Sequence, residues 1–269
     1  MKDSTTDSPI LVVIPARMAS VRLPGKPLRL LAGKALIVRV WERVTEFSGV
    51  DRVVVATDSG DILRVIEDAG GEAVLTASDH RSGTDRVAEV SSRPEFEKYA
   101  IIVNVQGDEP ELEMGHVSDP IALVEGAGWD VATCAAPLAS EAAWRDPSVV
   151  KVVRADNGAA LYFSRAPLPH PRDGAFVAGD PRWLHHVGVY VYRKPALERW
   201  VSLPPSRLET TEQLEQLRVL GEGIAIGVAV VAKAPRGIDT EEDLVRAQKR
   251  WASDDDEGST RHGVITSTQ

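Results

Sequence analysis

Three cations follow an apolar run near the start of the chain. Ile10-Leu-Val-Val-Ile14 leads into Pro15-Ala-Arg-Met-Ala-Ser-Val-Arg-Leu-Pro-Gly-Lys-Pro27, which carries Arg17, Arg22 and Lys26. From Ser8 to Trp41 there is no acidic residue, while Arg29, Lys34 and Arg39 continue the basic series. A buried strand opening into a Gly/Pro-punctuated basic loop suits a polyphosphate, gripped by side-chain charge and by backbone N–H groups around Gly25. Composition alone fits an exposed basic loop equally well. The loop is not a P-loop: Pro27 follows Lys26 where Ser or Thr is needed, and no glycine stands five residues before Gly25.

Two aspartates complement this loop. Asp108 lies in Gln106-Gly-Asp-Glu-Pro110, directly after the apolar run Ile101-Ile-Val-Asn-Val105, and Asp239 lies in Arg236-Gly-Ile-Asp-Thr240. Open α/β sheets bind ligands at the carboxyl ends of strands, although an aspartate there also serves as a turn residue or cap. Two such aspartates converging on one site can hold Mg²⁺, which takes a few carboxylates plus substrate phosphates. A triphosphate loop and a Mg²⁺ site are what phosphoryl-group chemistry requires.

The elements that must position these residues alternate. Strands are expected at Ile10–Ile14, Arg52–Ala56, Ala73–Leu75, Ala100–Val105 and Val131–Ala136, with helices at 35–47, 60–69, 83–92 and 114–126. That rhythm marks a mainly parallel sheet covered on both faces. From about 137 it changes. Asp156-Asn-Gly158 between Val149–Val153 and Ala159–Phe163 signals a hairpin, and a Pro-rich stretch, 167–181, precedes a strand over Leu184–Tyr192. Residues 137–200 read as a β-rich insert. A helix at 207–220, a strand at 224–231 and a helix opening on Thr240-Glu-Glu-Asp243 close the domain at about 252. The expectation is one domain, 9–252, with termini 1–8 and 253–269 disordered, the latter holding the acidic run Asp254–Glu257.

Bulk properties narrow the partners. The net charge is −9, from 40 acidic against 31 basic side chains, which disfavours nucleic acid and anionic membrane. No apolar run approaches the ~20 residues of a membrane span. Met1–Pro9 lacks the apolar core of a signal peptide, so the expected location is the cytoplasm. The single cysteine, Cys134, lies in an apolar stretch and reads as a buried small hydrophobe. His116, His170 and His262 have no partners at ligand spacing and read as surface residues. Trp41, Trp144, Trp183, Trp200 and Trp251 read as packing residues.

Taken in order, the motifs resemble the 3-deoxy-D-manno-octulosonate cytidylyltransferase family. The likeness rests on Ile14-Pro-Ala-Arg17, Arg22-Leu-Pro-Gly-Lys-Pro-Leu28, Val55-Ala-Thr-Asp58, His80-Arg-Ser-Gly-Thr-Asp-Arg86 and Val103-Asn-Val-Gln-Gly-Asp-Glu-Pro110. It continues through Tyr162-Phe-Ser-Arg165, His186-Val-Gly-Val-Tyr190, Leu214-Glu-Gln-Leu-Arg218 and Gly237-Ile-Asp-Thr240, covering about 9–251.

The resemblance implies a nucleotide-diphospho-sugar transferase (Rossmann-like) α/β fold, a homodimer, and activation of an acidic eight-carbon sugar by CTP with Mg²⁺. Carried over by position, Arg17, Arg22 and Lys26 hold the triphosphate, and Ser82 and Gly83 lie against the cytosine. Gln106 sits between nucleotide and sugar. Arg165, His186, Tyr190, Glu215 and Gln216 line the sugar pocket, while Asp108 and Asp239 bind the metal. Arg17, Lys26 and Asp108 are the catalytic set, with Asp108 a metal ligand rather than a base. His185 and His186 alternate faces on a strand, so only one faces the site, and position selects His186. Arg29, Lys34 and Arg39 are expected beyond the pocket.

Four places depart from the family pattern: Met18, Val21 in place of a hydroxyl residue, His185 in place of Arg or Lys, and Thr210-Thr211 in place of a bulkier pair. They leave the choice of sugar open, between 3-deoxy-D-manno-octulosonate, its 8-amino variant and a sialic-type acid. A noncatalytic nucleotide-sugar-binding protein would keep the binding residues and lose the metal carboxylates. The Asp-x-Asp of metal-dependent glycosyltransferases is missing, since Glu109 directly follows Asp108.

Overall fold

The computed structural model describes residues 8–20, 22–126 and 128–261, with side chains to residue 252. The expectations for residues 1–7, Val21 and 262–269, His262 among them, lie outside the described residues. The chain begins with β1 (Ile10–Ala16), a two-residue hairpin of β2 (Leu30–Leu31) and β3 (Lys34–Ala35), α1 (Leu36–Thr45), β4 (Arg52–Thr57), α2 (Gly60–Asp68) and β5 (Ala73–Leu75). It continues through α3 (Gly83–Ser91), β6 (Ile101–Asn104), α4 (Gly115–Gly126), β7 (Val131–Pro137), α5 (Glu141–Arg145), β8 (Lys151–Arg154) and β9 (Ala160–Ser164). β10 (Leu184–Arg193), α6 (Lys194–Ser202), α7 (Arg207–Glu212), α8 (Gln216–Gly221), β11 (Ile226–Val230) and α9 (Glu241–Arg261) complete it.

The main sheet runs β11-β7-β10-β6-β1-β4-β5, with β8 pairing to β10 and β9. Neighbours β6, β1, β4 and β5 are parallel, as are β7 and β11, whereas β10 is antiparallel to both β6 and β7. The mixed, mainly parallel sheet expected from the alternating pattern is therefore present. β1 and β6 read as continuous apolar runs because both their faces are buried. Ile10, Val12 and Ile14 pack beneath α1, α2 and α4, while Leu11 and Val13 pack beneath α3, α6 and α8.

The β-rich stretch expected over 137–200 contributes β8 and β9, which lie off the main path, and β10, which enters the main sheet. Some expectations change. The helix expected over 207–220 breaks at Gln213, whose φ of 53° ends α7 in the left-handed region, and no glycine or proline in the sequence signals that break. The last helix is Glu241–Arg261, with no proline to interrupt the run. His116 is buried rather than on the surface, with Nδ1 accepting from Glu113 N at 2.8 Å and Nε2 donating to the Lys233 carbonyl at 2.7 Å. Cys134 is buried and free, as its apolar context requires.

Candidate active site

The C-terminal ends of β1 and β6 open into a cavity of about 380 Å³. Its walls include Arg17, Arg22 and Lys26 from the opening loop, Ser82 and Gly83 at the start of α3, Gln106 and Asp108 after β6, and Asp239 before α9. Eight of the sequence-derived positions thus meet in one place, drawn from four separate segments. Close approach of the backbone is what allows it: a Cβ on Gly107 would meet the Pro15 carbonyl oxygen at 3.0 Å. Only a residue without a side chain lets the loop after β6 lie against the loop after β1.

Asp239 reaches the cavity through packing. Leu23, Leu31 and Leu36 of the opening segment form a small apolar cluster with Ile238, Leu244 and Ala247, which ties α9 to the basic loop. Lys26 Nζ then lies between two carboxylates, hydrogen-bonded to Asp108 Oδ2 and 2.9 Å from Asp239 Oδ1. Arg22 adds a contact of 3.1 Å to Asp239 Oδ1. Burial works against the Lys26 ammonium, but Asp108 and Asp239 outweigh it and raise its pKa. Next to this triad, burial pushes the Glu109 carboxyl up to about 8, with Asp108 and Asp239 adding to the shift. Its Oε2 is buried without a hydrogen-bond partner among the described residues.

Ser82 caps α3 through a reciprocal capping box with Asp85, each bond 3.1 Å long. Two cavity residues escaped the sequence reading as site residues. Arg86 is buried, bonds Thr76 Oγ1 and pairs with Asp58 Oδ2 at 3.0 Å. His80 Nε2 lies 2.6 Å from Glu89 Oε2. Both belong to the segment His80–Arg86, and its position at a helix start was the available signal. Arg29 and Lys34 lie beyond the cavity, paired with Glu241 and Glu42, and Arg39 bonds the Leu31 carbonyl.

Arg165, His186, Tyr190, Glu215 and Gln216 do not line that cavity. Glu215 is the link. Its carboxylate accepts from Ser82 Oγ at 3.2 Å, Thr84 Oγ1 at 3.1 Å and Trp200 Nε1 at 3.1 Å, and burial raises its pKa. Trp200 packs edge-on to Tyr190, whose ring lies 5.4 Å from that of His186. Gln106 Nε2 donates to the Gly188 carbonyl on β10 at 3.1 Å. Gln216 is buried beside Leu217. Arg165 turns toward the α7–α8 break, donating to the carbonyls of Glu212 at 2.8 Å, Pro147 at 3.0 Å and Gln213 at 3.3 Å.

An open α/β sheet whose strand ends gather cations and carboxylates is the architecture of a nucleotidyl-transferring protein, and the comparisons agree. The cytidylyltransferase family model matches residues 11–226. The 3-deoxy-manno-octulosonate cytidylyltransferase of Gemmatimonas aurantiaca is 48% identical over 244 residues, covering 90% of this chain and 94% of its own. That of Syntrophotalea carbinolica is 47% identical over 245 residues, covering 89% and 97%. A solved structure of CMP:2-keto-3-deoxy-manno-octonic acid synthetase complexed with CTP aligns with TM-score 0.84 at 40% identity, over 92% of this chain and 100% of that one. A 4-diphosphocytidyl-2C-methyl-D-erythritol synthase from Anaerococcus prevotii shares the fold alone, with TM-score 0.59 at 14% identity. The chain belongs to the cytidylyltransferase family, and within it to the 3-deoxy-manno-octulosonate cytidylyltransferases.

Proposed function

We propose that this protein couples CTP to 3-deoxy-manno-octulosonate, forming the CMP-sugar and releasing pyrophosphate. The observation that carries the reading is the Lys26 ammonium held between Asp108 and Asp239, in a cavity also walled by Arg17 and Arg22. Joining two anions requires cations against their repulsion and against charge developing on the α-phosphate and the leaving group. Arg17, Arg22 and Lys26 hold the triphosphate for that purpose. Ser82 and Gly83 bear on the cytosine, and Gln106 stands between nucleotide and sugar. Glu215 and Gln216, with His186, Tyr190 and Arg165, form the sugar side.

Asp108 and Asp239 suit Mg²⁺. They supply hard oxygen donors already arranged about a cation, and no cluster of three or more Asp, Glu, His or Cys occurs among the described residues. Two carboxylates leave room for phosphate oxygens and water, as Mg²⁺ prefers. When bound, the ion neutralises charge on the phosphates. The sugar hydroxyl attacks the α-phosphate directly, so no protein nucleophile is needed.

The reading includes a homodimer in the cytoplasm. The homodimer follows from the family resemblance. No described helix is long and apolar enough to cross a membrane.

The test incubates the protein with Mg²⁺, CTP and a panel of acidic sugars, following pyrophosphate and CMP-sugar, with UTP and ATP as controls. Release with 3-deoxy-manno-octulosonate above its 8-amino variant and sialic acid is expected. Preference for either rival moves the substrate assignment to it, and no release with any sugar overturns the transferase reading.

A further inference from the structure

β10 carries an irregularity beside the site, and one hydroxyl lies against it. Three steps along β10, from Val187 to Tyr190, match one step along β7, from Cys134 to Thr133, so Gly188 and Val189 bulge from the ladder. Thr133 is fully buried at this point. Its Oγ1 lies 2.6 Å from the Val189 carbonyl oxygen, 3.1 Å from that of Val187 and 3.0 Å from His186 Nε2.

A hydroxyl has one proton and two lone pairs. The Val189 carbonyl oxygen, at 2.6 Å, would repel the hydroxyl oxygen unless a proton lay between them, so the Thr133 proton goes there rather than to His186 at 3.0 Å. Toward His186 the hydroxyl oxygen is then an acceptor, which requires the proton on Nε2. His186 Nδ1 keeps its lone pair and has no protein partner among the described residues. Phe163 meets the ring edge-on at 4.9 Å and Tyr190 lies 5.4 Å away, so packing resists rotation of the imidazole.

We propose that Thr133 is a positioning residue for the sugar subsite: it fixes His186 in the Nε2-protonated form, so that Nδ1 accepts a hydrogen bond from a sugar hydroxyl. The same hydroxyl pins the bulge from which the Gly188 carbonyl holds Gln106. The role in turnover rests on the proposed function, whereas the tautomer does not. Burial holds the imidazole pKa down at about 3, with His185 contributing, so the ring stays neutral in working conditions.

The test combines nitrogen NMR of ¹⁵N-histidine-labelled protein with kinetics of Thr133→Val and Thr133→Ser on CTP and 3-deoxy-manno-octulosonate. The wild-type His186 is expected to show a protonated Nε2 and a bare Nδ1. Thr133→Val is expected to lose that pattern and raise the sugar KM about tenfold, the size of one good hydrogen bond, with the CTP KM within about twofold. Thr133→Ser should restore both readouts. A protonated Nδ1 in the wild type, or a serine variant as impaired for sugar as the valine variant, would overturn the proposal. An unchanged sugar KM in His186→Ala would overturn the subsite assignment separately, because the nitrogen spectrum reads the tautomer without any substrate.

Discussion

Lys26 and Asp239 stand 213 positions apart in the chain, yet Lys26 Nζ lies 2.9 Å from Asp239 Oδ1. The apolar cluster of Leu23, Leu31 and Leu36 with Ile238, Leu244 and Ala247 makes this contact possible. α9 thus closes the site as well as the fold. Replacing Lys26 by methionine keeps the aliphatic stem and removes the charge proposed to hold the triphosphate. CTP affinity is expected to fall by about tenfold to a hundredfold, in line with loss of a charge-assisted contact. Calorimetric titration with CTP measures this, and unchanged affinity would separate Lys26 from the nucleotide.

Gly188→Ala probes the link between β10 and the loop after β6. The new Cβ would meet Gln106 Cγ at 3.3 Å, closer than the ~3.5–4.0 Å of a relaxed carbon contact. Gln106 must then shift away from the Gly188 carbonyl. With Gln106 proposed to stand between the two substrates, kcat/KM for the sugar is expected to fall about tenfold or more, because small misplacements cost heavily in an oriented reaction. Steady-state kinetics at saturating CTP checks it.

Arg165→Lys separates the two halves of the site. Three of the five guanidinium N–H groups already serve the carbonyls of Glu212, Pro147 and Gln213, which leaves two for a carboxylate. A lysine ammonium cannot span those directions. The sugar KM should rise about tenfold or more while the CTP KM stays near the wild-type value. A defect confined to CTP would assign Arg165 to the other substrate.

Two adjacent imidazoles contribute stability that is lost in mild acid, against the opposite contribution of the buried Glu109 carboxyl. Burial, reinforced by Lys151, lowers the pKa of His185 to about 4, and burial, reinforced by His185, lowers that of His186 to about 3. The unfolded chain takes up these protons near pH 6.5. Between that value and the folded pKa values the unfolded state binds more protons, so stability drops as pH falls. The slope is up to about 1.4 kcal/mol per pH unit for each imidazole. Urea unfolding of His185→Gln should show a shallower slope between pH 6.5 and pH 4 than the wild type. Equal slopes would mean that His185 protonates freely in the folded protein.

The sequence exposed the site better than the scaffold around it. Arg17, Lys26, Asp108 and Asp239 were legible because a basic loop and aspartates at strand ends stand out from an acidic, apolar-patterned chain. The convergence of Asp239 on that loop was expected from the resemblance, whereas its physical cause, the packing of α9 on Leu23, Leu31 and Leu36, was not legible. The break at Gln213 carried no glycine or proline to mark it, and the α7 end is fixed instead by tertiary bonds from Ser164 and Arg165 to Glu212. α6 starts at Lys194 immediately after β10, and Pro195 in its first turn was the signal that could have marked the boundary. The bulge at Gly188 leaves the alternation of His186, Tyr190 and Tyr192 intact, so the glycine inside the strand pattern was the one signal of it.

On the proposed reading Asp108 serves charge on the phosphates rather than the fold. The most direct measurement is pyrophosphate release from CTP and 3-deoxy-manno-octulosonate by Asp108→Asn at saturating Mg²⁺, alongside its thermal midpoint. Asp239 still pairs with Lys26 in that variant, so the midpoint should stay within about 3 °C of the wild type, the scale of a change near 1 kcal/mol. Turnover should fall by about a hundredfold or more, as for loss of a group that stabilises transition-state charge. Wild-type turnover in a folded Asp108→Asn protein would contradict the account.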